Sequence, residues 1–160
     1  MPTLVLVRHA QAAYNYPDRA RPLTEAGRDQ AARLGVTLAR EIGAFSVAVS
    51  SDAQRARETF AAILARVDTD DSWHDRSIYD GGEEEVIELA RTFTGEAGLI
   101  VGHEPVISYA GYILAHQEDR GAADRGVPTA TALVLSFEGA WEDLAPGTCA
   151  VRVFYTPPTR

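Results

Sequence analysis

Leu4-Val5-Leu6-Val7-Arg8-His9 decides the fold. Four consecutive aliphatic residues read as a strand covered on both faces, with a cation and an imidazole at its C-terminal end. The same design returns twice. Phe45-Ser46-Val47-Ala48-Val49 leads into Ser50-Ser51 and then Arg55, and Leu99-Ile100-Val101 leads into Gly102-His103. A helical pattern follows each run. Buried strands alternating with helices belong to mostly parallel sheets covered on both faces, here with an antiparallel strand at one edge. Parallel strands bring their C-terminal ends to one side of the sheet, where open α/β sheets bind ligands. Two arginines and two histidines should therefore meet there.

Outward from these runs, Thr24 reads as the N-cap of a helix over 25–42, with Ala31, Leu34, Leu38 and Ile42 on one face and Gly43 as its stop. A second helix should start at Ser51 or Asp52 and reach Val67, with Ala56, Phe60, Ile63 and Leu64 inward. The acidic stretch Asp68 to Trp73 reads as a loop, and Ser77 to Tyr79 as a short extended piece. Further helices are expected from Glu83 to Arg91 and from Pro105 to His116, with Pro105 in the first turn. Gln117 to Pro128 reads as a surface loop. Thr131 to Phe137 and Ala150 to Tyr155 read as late strands, and Pro157 to Arg160 as a loose tail.

The 160 residues suit a single domain spanning 1–160, with 46% apolar and 24% charged residues. No apolar stretch approaches the ~20 residues that cross a bilayer. Met1-Pro2-Thr3 offers neither the basic region nor the cleavage site of a secretory signal. A lone cysteine, Cys149, fits a reducing, cytoplasmic setting and reads as a small packed side chain. Fifteen basic residues against 23 acidic ones give a net charge of -8. That balance argues against nucleic-acid or anionic-membrane partners, which need a basic surface. It leaves an anionic substrate open, because distant exposed charges are screened beyond ~8 Å.

A histidine just past a buried strand can be a base, a metal ligand or a nucleophile. Beside a fixed cation it is held neutral, and a neutral imidazole has a lone pair that can attack phosphorus. Arg8 and Arg55 offer planar forks for phosphoryl oxygens. His103 can donate to such an oxygen or protonate a leaving group. Phosphoryl transfer asks mainly for positioning and charge neutralisation, which this set supplies without a metal. The four histidines show no Cys/His or paired-histidine metal spacing. His74 and His116 follow no buried strand and read as structural. Glu83-Glu84-Glu85 at a helix start matches the helix dipole.

Four ordered motifs carry a resemblance. Leu6-Val7-Arg8-His9-Ala10, Arg21-Pro22-Leu23-Thr24-Glu25-Ala26-Gly27, Ser50-Ser51-Asp52-Ala53-Gln54-Arg55-Ala56-Arg57-Glu58-Thr59 and Val101-Gly102-His103-Glu104-Pro105 resemble the histidine phosphatase superfamily, the phosphoglycerate mutase-like fold. Order, spacing and chain length are most similar to its SixA-type phosphohistidine phosphatase branch. The resemblance implies a three-layer α/β/α sandwich and a covalent phosphohistidine on the first histidine. It makes His9 the catalytic nucleophile and places Arg8, Arg55 and His103 in the phosphate pocket, with Arg21 at its rim. It implies no cofactor and no metal. Ala10 stands where the family usually has glycine. The glutamate that mutase-like members use as general acid has no clean counterpart, and Glu83 or Glu84 are the candidates for that role.

The expected function is thus hydrolysis of a phosphohistidine on a partner protein. Alternatives are a small-molecule phosphomonoesterase and, in a different class, a non-catalytic domain that binds phosphorylated partners. Little sequence lies between the second and third phosphate-bearing strands beyond a helix and a short strand, so the site should be shallow and open to bulky substrates.

Overall fold

In the computed structural model, which describes residues 1–159, six strands form one sheet. They are β1 (Thr3–Arg8), β2 (Ala44–Ser51), β3 (Asp68–Asp75), β4 (Ala97–Gly102), β5 (Thr131–Ser136) and β6 (Ala150–Tyr155), in the order β3-β2-β4-β1-β5-β6. The first four in that order run parallel. β5 pairs antiparallel with both β1 and β6, which supplies the antiparallel side expected at one edge. The helices are α1 (Glu25–Glu41), α2 (Gln54–Leu64), α3 (Arg76–Asp80), α4 (Glu83–Arg91) and α5 (Val106–Leu114). None of them is long and apolar enough to cross a membrane.

The two-residue period of a strand sorts the core into two layers. Leu4 and Leu6 of β1 pack with Val86 and Ile87 of α4 and with Ile107 and Leu114 of α5. Val5 and Val7 face the other way, onto Leu34 and Leu38 of α1 and onto Phe60 and Ile63 of α2. Leu4, Val5, Leu6 and Val7 are all fully buried. This makes the expected α/β/α sandwich, and it explains why the run is aliphatic without alternation.

α1 begins as its sequence predicts, with Thr24 Oγ1 accepting the Gly27 N–H at 3.0 Å. Gly27 is there for closeness. A Cβ at that position would lie 2.0 Å from the carbonyl oxygen of Gln11, two residues beyond His9. The buried Gln30 then ties the region together. It accepts the Gln11 N–H at 2.9 Å and donates to the Thr156 carbonyl at 2.9 Å.

Several local expectations are corrected. Asp68 to Trp73 is not a loop but most of β3, paired in parallel with β2. It is an edge strand held by backbone hydrogen bonds, so its side chains stay charged and exposed and carry no apolar signal. Ser77 to Tyr79 is helical within α3, because the Asp75 carboxylate caps the Ser77 N–H at 2.9 Å. α2 stops at Leu64 rather than Val67, and α5 at Leu114 rather than His116. A 3-10 turn, Gln117–Ala122, occupies part of the expected loop. Of the expected tail, Pro157 lies against α1, where Arg33 donates to its carbonyl at 2.6 Å, and Arg160 is outside the described residues. Cys149 is buried, as expected, and burial pushes its thiol pKa up.

Candidate active site

Topology brings the two histidines together. β1 and β4 are neighbours in register, with Arg8 opposite Gly102, and His9 and His103 are the next residues on each strand. Their ring centroids lie 5.4 Å apart. β2 flanks β4, so Ser51 at its end and Arg55 at the start of α2 join the same edge.

His9 is buried, and its Nδ1 lies 2.8 Å from the Ala10 carbonyl oxygen. A carbonyl only accepts, so Nδ1 carries the ring proton and the Nε2 lone pair is free. Burial lowers the His9 pKa from 6.5 to about 3, opposed by the Ala10 hydrogen bond and helped by His103, Arg55 and Arg8. The ring is therefore neutral at physiological pH. The half-buried His103 is likewise lowered to about 4, by burial first and by Arg55 next. Its Nε2 meets Ser51 Oγ at 2.7 Å. When the Ser51 hydroxyl donates there, the ring proton resides on Nδ1, which is buried without a partner among the described residues.

The arginines share a geometry. Arg8 donates from Nη1 to the Val127 carbonyl at 2.8 Å, and Arg55 from Nη1 to the Asp18 carbonyl at 2.6 Å. Each guanidinium is thus held at one end by a backbone carbonyl. The Nε of each is buried and unpartnered among the described residues. Arg8 Nε, Arg55 Nε and His103 Nδ1 are three orphaned nitrogens of one cluster. Orphaned buried donors are costly, and an oxyanion is the partner that would satisfy several at once.

A polar rim surrounds them. Asp18 Oδ2 accepts from Tyr79 Oη at 2.6 Å and from Arg55 Nη2 at 3.3 Å. The Tyr79 hydrogen bond, followed by Arg55, holds the Asp18 carboxyl below its ordinary pKa. Tyr79 meets His103 edge-on at 5.6 Å, and Arg19 stacks over the Tyr79 ring while pairing with Asp52. Arg21 lies at this rim, donating to the Ala13 carbonyl at 2.8 Å and to Asp18 at 3.4 Å.

Glu83 and Glu84 follow α3 at the start of the next helix. They sit in the first turn of α4, and among the described residues neither hydrogen-bonds to His9, His103, Arg8 or Arg55. His74 packs edge-on against Phe60, and His116 Nδ1 meets the Gly147 carbonyl at 3.1 Å. Sequence reasoning missed Asp18, Tyr79 and Thr59. Asp18 carried one signal, an acid three residues before Arg21 in the polar loop.

Known proteins place these residues in a lineage. The sequence model of the histidine phosphatase superfamily (branch 1) matches residues 4–88. An uncharacterized protein of Mycobacterium tuberculosis is 32% identical over 94% of this chain and 99% of its own length. A Nakamurella multipartitia structure, proposed to be the phosphohistidine phosphatase SixA, is 32% identical with a TM-score of 0.84 over 97% of this chain and 96% of its own. An Agrobacterium tumefaciens structure proposed to be SixA is 26% identical, with a TM-score of 0.75 over 84% of this chain and 91% of its own. The protein histidine phosphatase SixA bound to tungstate shares the fold, at 20% identity and a TM-score of 0.76 over 94% of each chain. Motif order, fold and residue identity agree, and the chain belongs to branch 1 of the histidine phosphatase superfamily, as a SixA-type member.

Proposed function

We propose that the protein is a metal-independent phosphatase that hydrolyses phosphohistidine on a partner protein. The observation that carries this reading is the neutral His9, with Nδ1–H fixed on the Ala10 carbonyl and Nε2 left unprotonated in a cluster with two arginines. Nε2 attacks phosphorus, and the bond from phosphorus to the substrate's imidazole nitrogen breaks. The substrate ring, protonated on its other nitrogen, departs as neutral imidazole, and the departing nitrogen keeps the electron pair. Water then attacks the phosphorus on His9, releasing inorganic phosphate and returning the neutral ring. Arg8 and Arg55 neutralise charge on the phosphoryl oxygens and the neutral His103 donates a hydrogen bond to one of them, which is where this chemistry needs most help.

The leaving group explains the modest acid equipment. Imidazole, with an ordinary pKa near ~6.5, departs far more readily than an alkoxide. Glu83 or Glu84 would matter only for the poorer leaving group. The likeness to the Nakamurella protein supports the protein-bound phosphohistidine over a small ester, and a rim formed by the exposed Asp18 and the half-exposed Tyr79 suits a bulky partner.

The decisive experiment uses a carrier protein bearing radiolabelled phosphohistidine. The enzyme should release phosphate and become transiently labelled on a base-stable, acid-labile bond. His9→Ala should lose both, with a rate loss of about a thousandfold or more. Activity should survive exhaustive chelation. Near-normal turnover in His9→Ala would remove the mechanism, and rescue of a chelated enzyme by a divalent metal would remove the metal-free chemistry. A preference of about a hundredfold for one small ester in kcat/KM, or ~2.7 kcal/mol, would move the assignment to small-molecule phosphomonoesters.

A further inference from the structure

Glu104 follows His103 but takes no part in the cluster itself. Its carboxylate faces the other way. Oε1 accepts the Ser108 N–H at 2.8 Å, in the first turn of α5, and Oε2 accepts the Ser108 hydroxyl at 2.8 Å. Oε2 also accepts the Val127 N–H at 3.0 Å. Val127 is buried, and its own carbonyl takes the Arg8 Nη1 bond at 2.8 Å. One residue of a long connection is therefore gripped on both sides, by Glu104 at its nitrogen and by Arg8 at its oxygen.

The approach is tight. Gly126 has φ +80, and a Cβ there would lie 3.0 Å from Glu104 Oε2. That φ suits glycine, so the backbone presents the Val127 N–H to the carboxylate with little strain. Further on, the Ala130 N–H lies 3.1 Å from the Arg8 carbonyl and 3.2 Å from that of His9. The segment from Val127 to Ala130 wraps the Arg8-His9 dipeptide, and Glu104 anchors its leading end.

We propose that Glu104 is a positioning residue that sets the Arg8 guanidinium through Val127. With Nη1 fixed on the Val127 carbonyl, the Nε side of Arg8 keeps a single orientation toward the phosphoryl group. Without the carboxylate, the Val127 N–H loses its acceptor, and the carbonyl that aims Arg8 is free to shift. A short polar chain thereby connects the helix that follows the second histidine to the arginine that precedes the first. The inference rests on the reading of Arg8 as a phosphoryl-binding group.

The test combines structure with a double-mutant cycle. In a crystal structure of Glu104→Ala, Arg8 Nη1 should have left the Val127 carbonyl, or the side chain should divide between two orientations. An unmoved Arg8 overturns the proposal, and this readout does not depend on turnover. In kinetics with the phosphohistidine carrier, Glu104→Ala should lower kcat/KM about ten- to a hundredfold, the range typical of outer groups that orient a reacting side chain. In an Arg8→Ala background the same change should cost little more, because the two residues act as one unit. Full additivity in the cycle would instead mark Glu104 as a generic support and overturn the proposal. Glu104→Gln keeps one acceptor oxygen and should recover part of the rate. Should wild-type protein prove inactive while Arg8 still moves in Glu104→Ala, the functional reading fails and the positioning inference stands.

Discussion

Thr59 and Ala10 share a hydrogen bond that steadies the His9 ring from behind. The Ala10 N–H donates to Thr59 Oγ1 at 3.0 Å, and the Thr59 hydroxyl in turn donates to the Arg55 carbonyl at 2.8 Å. The Ala10 carbonyl, in the same residue, receives the His9 Nδ1 proton. One fully buried threonine thus steadies the residue that sets the tautomer of His9, and it ties β1 to the helix that carries Arg55. Thr59→Val keeps the shape and removes the oxygen, leaving a buried N–H unsatisfied. It should cost about 1–3 kcal/mol of stability in urea unfolding and lower kcat more than it raises KM. Thr59→Ser should restore most of both. Equal stability of the valine and serine variants would show that the bond contributes nothing.

The rim acid Asp18 gives an electrostatic prediction. Its carboxylate lies against Arg55, yet its backbone carbonyl also holds that arginine. Asp18→Asn keeps the carbonyl and deletes a negative charge beside the proposed phosphate site. Inorganic phosphate should inhibit this variant about two- to fivefold more strongly at low salt. The gain should shrink at high salt, where partly exposed charges are screened. Weaker inhibition at both ionic strengths would mean that the carboxylate is needed to aim Arg55.

Acid should unfold the protein earlier than its carboxylates alone require. His9 and His103 have folded pKa values of about 3 and about 4, against ~6.5 in an unfolded chain. Their folded pKa values are depressed, so between those values and ~6.5 the unfolded chain binds more protons. Stability from these two rings is fully present above ~6.5 and is lost as pH falls toward 4 and then 3, by a few kcal/mol in all. Chemical denaturation at pH 7 and pH 4.5 measures the loss. His9→Gln/His103→Gln should show a smaller drop between the two, and an identical drop would refute the burial argument. The same shifts predict a kcat/KM profile with no inflection near 6.5 from the free enzyme's histidines.

Gly27 offers a structural check near the site. A methyl group there would lie 2.0 Å from the Gln11 carbonyl oxygen, which is backbone and cannot rotate away. Gly27→Ala improves intrinsic helix propensity but must push α1 from the loop after His9. The clash should dominate, costing about 1–3 kcal/mol and lowering Tm. A more stable variant would show that the loop yields freely.

The readable parts of this chain are those whose chemistry is concentrated in consecutive residues. β1, β2 and β4 are buried on both faces, so their sequences are aliphatic runs, and the sheet order brings His9, His103, Arg8 and Arg55 together as that pattern predicts. β3 was illegible for the opposite reason. Asp68-Thr69-Asp70-Asp71 is held by the backbone of β2, and its side chains answer to solvent rather than to a core. Tyr79 and Asp18 meet across the sheet edge from two connections, and no spacing along the chain announces such a meeting. Thr59 sits one helical turn beyond Arg55, yet its partner is the Ala10 peptide, which only the assembled fold supplies.

The sheet order also governs when the enzyme can exist during synthesis. β4 lies between β2 and β1, although it is made after both. A nascent chain that ends before Ala97 has β1 and β2 with no strand to join them, and Leu6 and Val49 each lack their shared neighbour Ile100. His9 is translated early but waits for His103 to emerge, and Arg8 waits longer still for Val127. The His9 ring therefore meets its partners only after the strands that flank β1 have been made.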